Sequence, residues 1–385
     1  MTRSLRIALA VAVLALAGAA PAAGATPVRQ ADAALERALE RLVAMPGGPP
    51  GAIAVVQRGA RVIVRTAGYG DVEAKRRPRG TDHLRIASTA KAFSGAVALS
   101  LVEKGVLSLE DTIGQRLPDL PAAWGAVTLG QLLNHTSGLP DFTASPAFRE
   151  AVAASLTVAP PPTELLAYVK DEPLVFPPGS RYAYSNSDNI AVGLMVQAAT
   201  GTSYEESLQE QVYGPLGLTQ TSLPAGPELP VPFIHGYDRE GTGPPEDVSE
   251  VFASGWAWAS GGIVSTPLEL NRFIRGYVGG ALFGPAVQAE QRRFVAGGGS
   301  EPRGPGVNSA GLALFRYQTR CGTVYGHTGN TFGYTQFMAA SADGSRSVVV
   351  SINLQRTQDS EGQAGAVFRA LRKADLLGVC AALAG

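Results

Sequence analysis

A serine and a lysine three residues apart, Ser88 and Lys91, stand before an apolar run that continues to Val102. The run is apolar or small on every side over three helical turns and is closed by Lys104 and Gly105, which predicts a helix buried all round, with Ser88 at its N-terminus. Positions three apart share one face of a helix, so the Lys91 amine would lie beside the Ser88 hydroxyl. A desolvated amine can act as a base near neutral pH. The pair therefore predicts a nucleophile beside a base, the alternative being a helix cap followed by a solvated lysine.

Two further polar clusters lie far along the chain from this pair. Tyr184 and Asn186 are separated by one residue, so in an extended segment both can point into the same cleft. The alternative is a tyrosine closing the core and an asparagine capping the next helix. His327, Thr328 and Gly329 follow a β-rich stretch, where a glycine would let a ligand approach the backbone of a strand that lines a groove.

An aromatic, glycine-rich segment at 255–262 contains Trp256 and suits either a cleft wall or a packed turn. His135 lies in a turn-rich segment among hydroxyl and amide side chains, and we expect it to be a hydrogen-bonded structural histidine.

The pattern along the chain predicts an α+β fold. A helix over 31–45 and a hairpin of strands at 51–57 and 61–67 come first, and the middle of the chain reads as short helices broken by Pro and Gly. Strands return near the C-terminus at 311–317, 323–326, 333–340 and 347–353, before a last helix over 364–377. We therefore expect one antiparallel sheet domain built from 26–107 and 309–385, with a mostly helical domain at 108–308 and a cleft where the two meet.

The N-terminus indicates export. Arg3 and Arg6, an apolar run over 7–16 and small residues at 23–25 are the three parts of a secretory signal peptide, so we expect residues 1–25 to be removed before Thr26. The apolar run is too short to span a bilayer, and we expect no integral membrane anchor. In an exported chain the two cysteines, Cys321 and Cys380, are expected to form a disulfide. The net charge of zero gives no indication of a nucleic-acid partner.

The three clusters, taken in this order, resemble the motifs of the serine penicillin-recognising superfamily: Ser88-x-x-Lys91, Tyr184-x-Asn186 and His327-Thr328-Gly329. The resemblance covers nearly the whole mature chain. It is closest to the branch that holds class C β-lactamases, Streptomyces-type D-alanyl-D-alanine carboxypeptidases and family VIII esterases, and it implies the β-lactamase/DD-peptidase-like fold, an antiparallel sheet flanked by helices with a mostly helical inserted domain. The two cysteines also resemble the disulfide pair of the Streptomyces carboxypeptidase.

The resemblance implies that Ser88 forms an acyl-enzyme and that Lys91 and Tyr184 carry its proton, in an order that the sequence leaves open. Asn186 would orient Lys91 and bind the acyl side chain, and His327 would assist Tyr184. The oxyanion would lie between the main-chain N–H groups of Ser88 and Asn330.

For substrate binding the resemblance implies Thr328 and Gly329, and we add Trp256 and Arg316. Here the chain departs from the carboxypeptidases, whose carboxylate-binding arginine aligns with Phe315, one residue before Arg316. Asn330, in place of a threonine, is a second departure.

These features predict a secreted D-alanyl-D-alanine carboxypeptidase or related D-amino-acid peptidase, acting as a monomer on small peptides and on peptidoglycan. The alternatives are a carboxylesterase, since a neutral ester needs no carboxylate clamp, a class C-like β-lactamase, and a penicillin-binding sensor without turnover. Nothing in the sequence indicates a metal or an organic cofactor.

Overall fold

A computed structural model describes residues 25–359 and 361–385 of the chain. The predicted export signal lies outside these residues, apart from Ala25, where helix α1 (Ala25–Ala44) begins. The predicted hairpin is confirmed as β1 (Gly51–Arg58) and β2 (Arg61–Gly68). Its turn is closed by Gly59, whose φ of 57° favours glycine.

Within the described residues, seven strands form one antiparallel sheet in the order β2-β1-β11-β10-β9-β8-β7. Strands from both ends of the chain meet in its middle, where Val55 of β1 pairs with Val349 of β11. The C-terminal strands are β7 (Val307–Gly311), β8 (Leu314–Thr319), β9 (Gly322–Thr331), β10 (Tyr334–Ala340) and β11 (Arg346–Ile352). Short pairs of strands elsewhere are β3 (Leu84–Arg85) with β6 (Val264–Ser265), and β4 (Tyr237–Asp238) with β5 (Glu246–Asp247).

Strand β7 is absent from the prediction, which places residues 307 and 308 in the helical segment. Its small and polar residues lack the alternation that marks a strand. The predicted strand at 311–317 is instead divided by a turn before β8, in which Ala313 has a φ of 48°. The sequence therefore predicts the last strand of this block, β11, but not the first, β7.

Helices cover both faces of the sheet. Helix α1 and the C-terminal helix α13 (Gly362–Leu383) pack on one face, and α11 (Pro267–Gly279) packs on the other. The remaining helices are α2 (Ala90–Glu103), α3 (Ile113–Arg116), α4 (Leu129–Leu133), α5 (Pro146–Ala154), α6 (Pro162–Leu165), α7 (Asn186–Thr200), α8 (Tyr204–Leu208), α9 (Gly214–Leu216), α10 (Trp258–Gly261) and α12 (Pro285–Gln291).

Helix α2 is buried over all residues from Ala90 to Leu101, as its composition predicts. Phe93 stacks on Phe273 of α11 with 3.5 Å between ring centroids. Gly95 allows the turn before β8 to approach, because a side chain there would meet the Cβ of Ala313. Burial of each large apolar side chain stabilises the fold by about 1.5–3 kcal/mol. Helix α2 is therefore held firmly in place, and so are the residues at its N-terminus.

The predicted disulfide between Cys321 and Cys380 is confirmed, with a Cα–Cα distance of 5.1 Å. It joins the β8–β9 turn to α13. No helix of residues 25–359 and 361–385 is both long and apolar enough to cross a membrane.

Replacing both cysteines by serine should lower the free energy of unfolding by up to about 4 kcal/mol, because the bond closes a loop across a sequence separation of 59. Thermal unfolding followed by circular dichroism checks this, with the reduced wild type expected to unfold at the same temperature as the double variant. Addition of reductant should leave the double variant unchanged. Equal stability of wild type and variant would contradict the expectation.

Candidate active site

Ser88 lies in a 3-10 turn, Ala87–Thr89, that runs directly into α2. The preceding Ala87 has a φ of 50°, a left-handed conformation that costs a residue with a Cβ roughly 1–2 kcal/mol. Gly329 of β9 packs on this turn so closely that a Cβ would lie 2.6 Å from the Ile86 carbonyl oxygen and 3.0 Å from the Ser88 nitrogen. The glycine of the third motif therefore lets β9 support the backbone at Ser88.

The Lys91 amine is fully buried and surrounded by three oxygens. Its Nζ lies 3.1 Å from Ser88 Oγ, 2.8 Å from Asn186 Oδ1 and 2.6 Å from the main-chain oxygen of Ser260. The amide and carbonyl oxygens can only accept hydrogen bonds, whereas the Ser88 hydroxyl can also donate one. A neutral amine at this position would donate to the two fixed acceptors and keep its lone pair for the Ser88 hydrogen.

Asn186, the first residue of α7, is held in one orientation by Asp141. Its Nδ2 donates to Asp141 Oδ2 at 2.9 Å and its main-chain N–H donates to the same oxygen at 3.2 Å. Asp141 in turn accepts from the N–H and the hydroxyl of Thr143. Because the Asn186 amide nitrogen is occupied in this way, its oxygen faces Lys91.

Burial lowers the pKa of Lys91 to about 7. The negative charges of Asp141, Asp188 and Glu301 oppose this shift and keep the pKa from falling further. A substantial fraction of Lys91 is therefore unprotonated at neutral pH, which a general base beside a hydroxyl requires.

Tyr184 covers the same pair, with its ring centroid 5.1 Å from Lys91 Nζ. Burial raises the pKa of Tyr184 well above its ordinary value, and the Ser88 side chain is close enough to oppose that rise. The buried hydroxyl nevertheless makes no hydrogen bond of normal length to any described residue. It is thus a protonated group next to the Ser88 side chain, and both residues line the cavity.

Two buried histidines, His135 and His327, lie near the Lys91 amine. The ring of His135 lies 4.5 Å from that of Tyr184, and its Nδ1 lies 2.7 Å from Asp188 Oδ2. His135 is hydrogen-bonded as expected, although its partner is a buried carboxylate on α7. Burial lowers the pKa of His135 to about 3.

His327 is the second of these histidines. Its Nδ1 lies 2.5 Å from the Thr328 carbonyl oxygen, and its buried Nε2 has no partner among the described residues. Burial also lowers the pKa of His327 to about 3. A neutral ring that donates from Nδ1 leaves Nε2 as an unused acceptor.

A cavity of about 820 Å³ opens onto Ser88. Ser88, Tyr184 and Asn186 line it, and so do Asn330 and Trp256. The indole N–H of Trp256 donates to the Ser155 carbonyl, so the ring presents an apolar surface. Other aromatic lining residues are Phe142, Phe148, Phe252 and Phe332.

Thr328, Gly329 and Arg316, which we predict to bind substrate, are not among the described residues that line this cavity. The Thr328 hydroxyl is buried and donates to the Pro302 carbonyl, and Gly329 packs on the Ser88 turn. Arg316 lies over the Phe294 ring, 4.6 Å from its centroid, and donates to Ser309 Oγ at 3.2 Å. The neighbouring Phe315 packs edge-on against His327, because successive residues of a strand face opposite ways.

Three contributions escaped the sequence analysis. Asp141 accepts a hydrogen bond from Asn186, which lies 45 residues further along the chain. The residues around Asp141 carry no sequence pattern that predicts this contact. The Ser260 oxygen belongs to the main chain and has no sequence signature. Glu301 lines the cavity from an irregular segment. The sequence around Glu301 is rich in proline, which predicts a loop but not a residue of the cavity.

Fold and cavity together define a serine hydrolase of the kind that carries a Ser-x-x-Lys pair at the start of a buried helix beside an antiparallel sheet. The profile of the family described as Beta-lactamase matches residues 35–372, and the chain belongs to that family. It lies within the superfamily of serine hydrolases that includes β-lactamases, amidases and penicillin-binding proteins.

Similar proteins include Protein flp of Staphylococcus aureus (strain COL), 27% identical over 252 residues, which cover 64% of this chain and 48% of that protein. This chain spans about half the length of that relative. A D-stereospecific amidohydrolase from a Streptomyces species superposes with a TM-score of 0.76 at 27% identity, over 89% of this chain and 98% of its own. The D-amino acid amidase of Ochrobactrum anthropi SV3, complexed with L-phenylalanine amide, shares the fold with a TM-score of 0.77 at 24% identity, over 90% and 97%.

The geometry predicts that kcat/KM for a neutral ester such as p-nitrophenyl acetate rises with pH through an acid limb near 7, where Lys91 loses its proton. Replacing Asp141 by asparagine should move this limb to lower pH, because it removes a negative charge that raises the pKa of Lys91. Neither His135 nor His327 can supply a limb near 7, since burial holds both pKa values far lower.

The pH profile of Asp171→Asn serves as the matched control, because that carboxylate is exposed. Its acid limb should coincide with that of the wild type. An unchanged limb in Asp141→Asn would show that Lys91 is not the titrating group.

Proposed function

We propose that this protein hydrolyses amide bonds of D-amino-acid derivatives through an acyl-enzyme on Ser88. The proposal rests on the position of the Lys91 amine, whose Nζ lies 3.1 Å from Ser88 Oγ. The amine donates its own hydrogens to Asn186 Oδ1 and to the Ser260 main-chain oxygen, two groups that can only accept. In the first step the Lys91 amine can therefore accept the proton of the Ser88 hydroxyl, and no other base is needed.

In this mechanism the lone pair of Lys91 takes the Ser88 proton as Oγ bonds to the substrate carbonyl carbon. Main-chain N–H groups of Ser88 and Asn330 would stabilise the oxyanion, a contribution typically worth about 2.7–4 kcal/mol per donor. The C–N bond then breaks, and the leaving nitrogen takes a proton that Tyr184 relays from Lys91. Water attacks the ester carbonyl, its proton passes to the same network, and Ser88 is released.

Tyr184 suits the relay because burial keeps it protonated and its hydroxyl has no competing partner. His327 would assist the Tyr184 network, since its buried Nε2 is an acceptor without a partner among the described residues. The roles assigned to Asn186 and Asp141 are positional: they hold the amine against Ser88.

Two features support a D-amino-acid substrate. The chain resembles a D-stereospecific amidohydrolase over nearly its whole length, and His327-Thr328-Gly329 resembles the third motif of D-alanyl-D-alanine carboxypeptidases. The carboxypeptidase is the most specific form of the proposal, with an exported monomer acting on peptidoglycan-type peptides. Arg149 is the arginine that lines the described part of the cavity, and it is the candidate to bind a C-terminal carboxylate now that Arg316 lies elsewhere.

A carboxylesterase is the second candidate. The aromatic lining around Trp256 and Phe148, whose rings meet edge-on with centroids 5.5 Å apart, would accommodate an apolar acyl group without any charged clamp. Esters are also easier to cleave, so ester turnover alone would not separate the two candidates.

The test compares three substrates: an N-acylated peptide ending in D-Ala-D-Ala, D-phenylalanine amide and p-nitrophenyl butyrate. We expect amide cleavage with the D-isomer, an acyl adduct detectable by mass spectrometry on Ser88, and a loss of at least about 10³-fold in Ser88→Ala. Turnover of the ester alone would replace the proposal by the esterase.

Benzylpenicillin separates the remaining alternatives. Rapid hydrolysis would indicate a β-lactamase, and a lasting adduct with no turnover of any amide or ester would indicate a penicillin-binding sensor. Ser88→Ala that retains activity would refute the mechanism itself.

A further inference from the structure

The proposed reaction gives no part to His135 and Asp188, a buried pair beside the site. The two residues are 3% and 0% exposed, and His135 Nδ1 lies 2.7 Å from Asp188 Oδ2. The other carboxylate oxygen accepts from the Ser137 hydroxyl. Burying a carboxylate costs free energy that its hydrogen bonds must offset, so both ends of this group are held by the turn at 135–137.

The main chain at His135 is tied to the segment that carries Tyr184. His135 has a φ of 59°, in the left-handed region that few residues with a Cβ occupy. Its carbonyl oxygen accepts from the N–H of Ala183 at 2.9 Å, and the Thr136 carbonyl accepts from the N–H of Gly179 at 2.7 Å. Because Ala183 directly precedes Tyr184, these bonds fix the backbone from which the tyrosine side chain extends.

The side chain of His135 contacts Tyr184 as well. The two ring centroids lie 4.5 Å apart, with 36° between the ring planes, and the Tyr182 ring meets His135 edge-on with centroids 6.0 Å apart. The bond between Nδ1 and Asp188 fixes the plane of the His135 ring, with the shared proton on either atom. Tyr184 therefore packs on a ring that a buried carboxylate keeps in one orientation.

Asp188 also connects this turn to the groups around Lys91. It lies in the first turn of α7, two residues after Asn186, whose Oδ1 is 2.8 Å from Lys91 Nζ. Lys91 Nζ lies 5.1 Å from the centroid of the Tyr184 ring and 3.1 Å from Ser88 Oγ. The carboxylate thus joins the helix that orients the amine to the histidine that packs on the tyrosine.

We propose that His135, held by Asp188, is a positioning residue that fixes the Tyr184 phenol for proton transfer to the leaving group. The inference rests on the proposed acyl-enzyme at Ser88 and separates its two proton transfers. Lys91 takes the Ser88 proton as the bond from Oγ to the carbonyl carbon forms, without passing through Tyr184. The bond to the leaving group then breaks, its electron pair stays on the leaving atom, and the proton relayed by Tyr184 joins that atom. A displaced phenol slows only the second transfer.

The test compares two esters of N-acetyl-D-phenylalanine that share the acyl group and differ in the leaving group. Methoxide must gain a proton to leave, whereas p-nitrophenolate leaves as a stable anion. His135→Asn should lower kcat/KM for the methyl ester by about 10- to 100-fold, the loss expected when a catalytic group is misplaced. For the p-nitrophenyl ester we expect a loss of less than about threefold, because its leaving group needs no general acid.

Asparagine suits this test because it removes the ring and keeps the other contacts of residue 135. It tolerates the left-handed backbone, and its amide nitrogen can still donate to Asp188. Turnover of the p-nitrophenyl ester by the variant shows that the fold is intact. His235→Asn is the matched control, the same change at a half-buried histidine outside the described lining of the cavity, and it should keep the wild-type ratio of the two esters.

A double-mutant cycle with Tyr184→Phe shows whether the histidine acts through the tyrosine. Tyr184→Phe removes the relay and should lower kcat/KM for the methyl ester by at least about 10²-fold. In that background His135→Asn should cause no further loss, because no phenol remains for the ring to position. Losses that multiply would show that His135 acts elsewhere and would overturn the proposal.

Asp188→Asn tests the part of the carboxylate. The amide offers one acceptor oxygen where the carboxylate offers two, so the His135 ring is held less firmly. The methyl ester should then lose about 3- to 10-fold relative to the p-nitrophenyl ester. The lost charge also lowers the pKa of Lys91, but both esters use the same base and the ratio cancels that effect. An unchanged ratio would overturn the role of Asp188.

Equal losses of both esters in His135→Asn would overturn the positioning role, and so would an unchanged ratio. The proposed function fails on different results. Hydrolysis of both esters without cleavage of any amide would replace it by the esterase, while the ratio of the esters still decides the role of His135. If the p-nitrophenyl ester leaves no acyl group on Ser88 of the wild type, the proposed function is refuted and this inference with it.

Discussion

The interaction on which the site depends is the contact of a buried lysine amine with a serine hydroxyl at 3.1 Å. Burial alone would leave Lys91 neutral but unoriented. The Ser260 carbonyl and the Asn186 amide take its two protons, so the remaining lone pair is available to Ser88. Asp141 fixes the asparagine, and its negative charge keeps the pKa of the amine from falling further than about 7.

Holding that amine in place accounts for much of the surrounding fold. A lysine amine is unprotonated near neutral pH only where burial disfavours its charged form, and α2 provides this by being buried on all sides. Its rigid packing fixes Lys91, while the left-handed Ala87 and the close approach of Gly329 fix Ser88. Burying Lys91 makes the stability of the fold depend on pH. Between the pKa of Lys91 in the folded state, near 7, and the higher pKa of a lysine in the unfolded chain, the native state binds fewer protons than the unfolded state. The contribution of Lys91 to the free energy of unfolding therefore rises with pH across this range.

The sequence predicts the parts of this arrangement that depend on local spacing. Ser88 and Lys91 are one helical turn apart, and the fully apolar composition of α2 indicates its burial. The hairpin β1–β2 shows the expected β-branched runs. Contacts between distant segments are different: Asp141 meets Asn186 only after α7 has packed, and the Ser260 contribution is a main-chain oxygen. A shift of one residue along a strand moves a side chain to the other face, so sequence alone leaves open whether Phe315 or Arg316 takes the carboxylate-binding position.

The central claim is that a substantial fraction of Lys91 is unprotonated at neutral pH, and the titration of Lys91 can be observed directly. The chain has five lysines, so ¹³C/¹⁵N labelling of lysine gives a short set of side-chain resonances, and the signal lost in Lys91→Met identifies the one in question. The account predicts that this signal titrates near pH 7 while exposed lysines titrate near their ordinary value of about 10.4. Titration of Lys91 above pH 9 would contradict it, because the amine would then be protonated and unable to take the Ser88 proton.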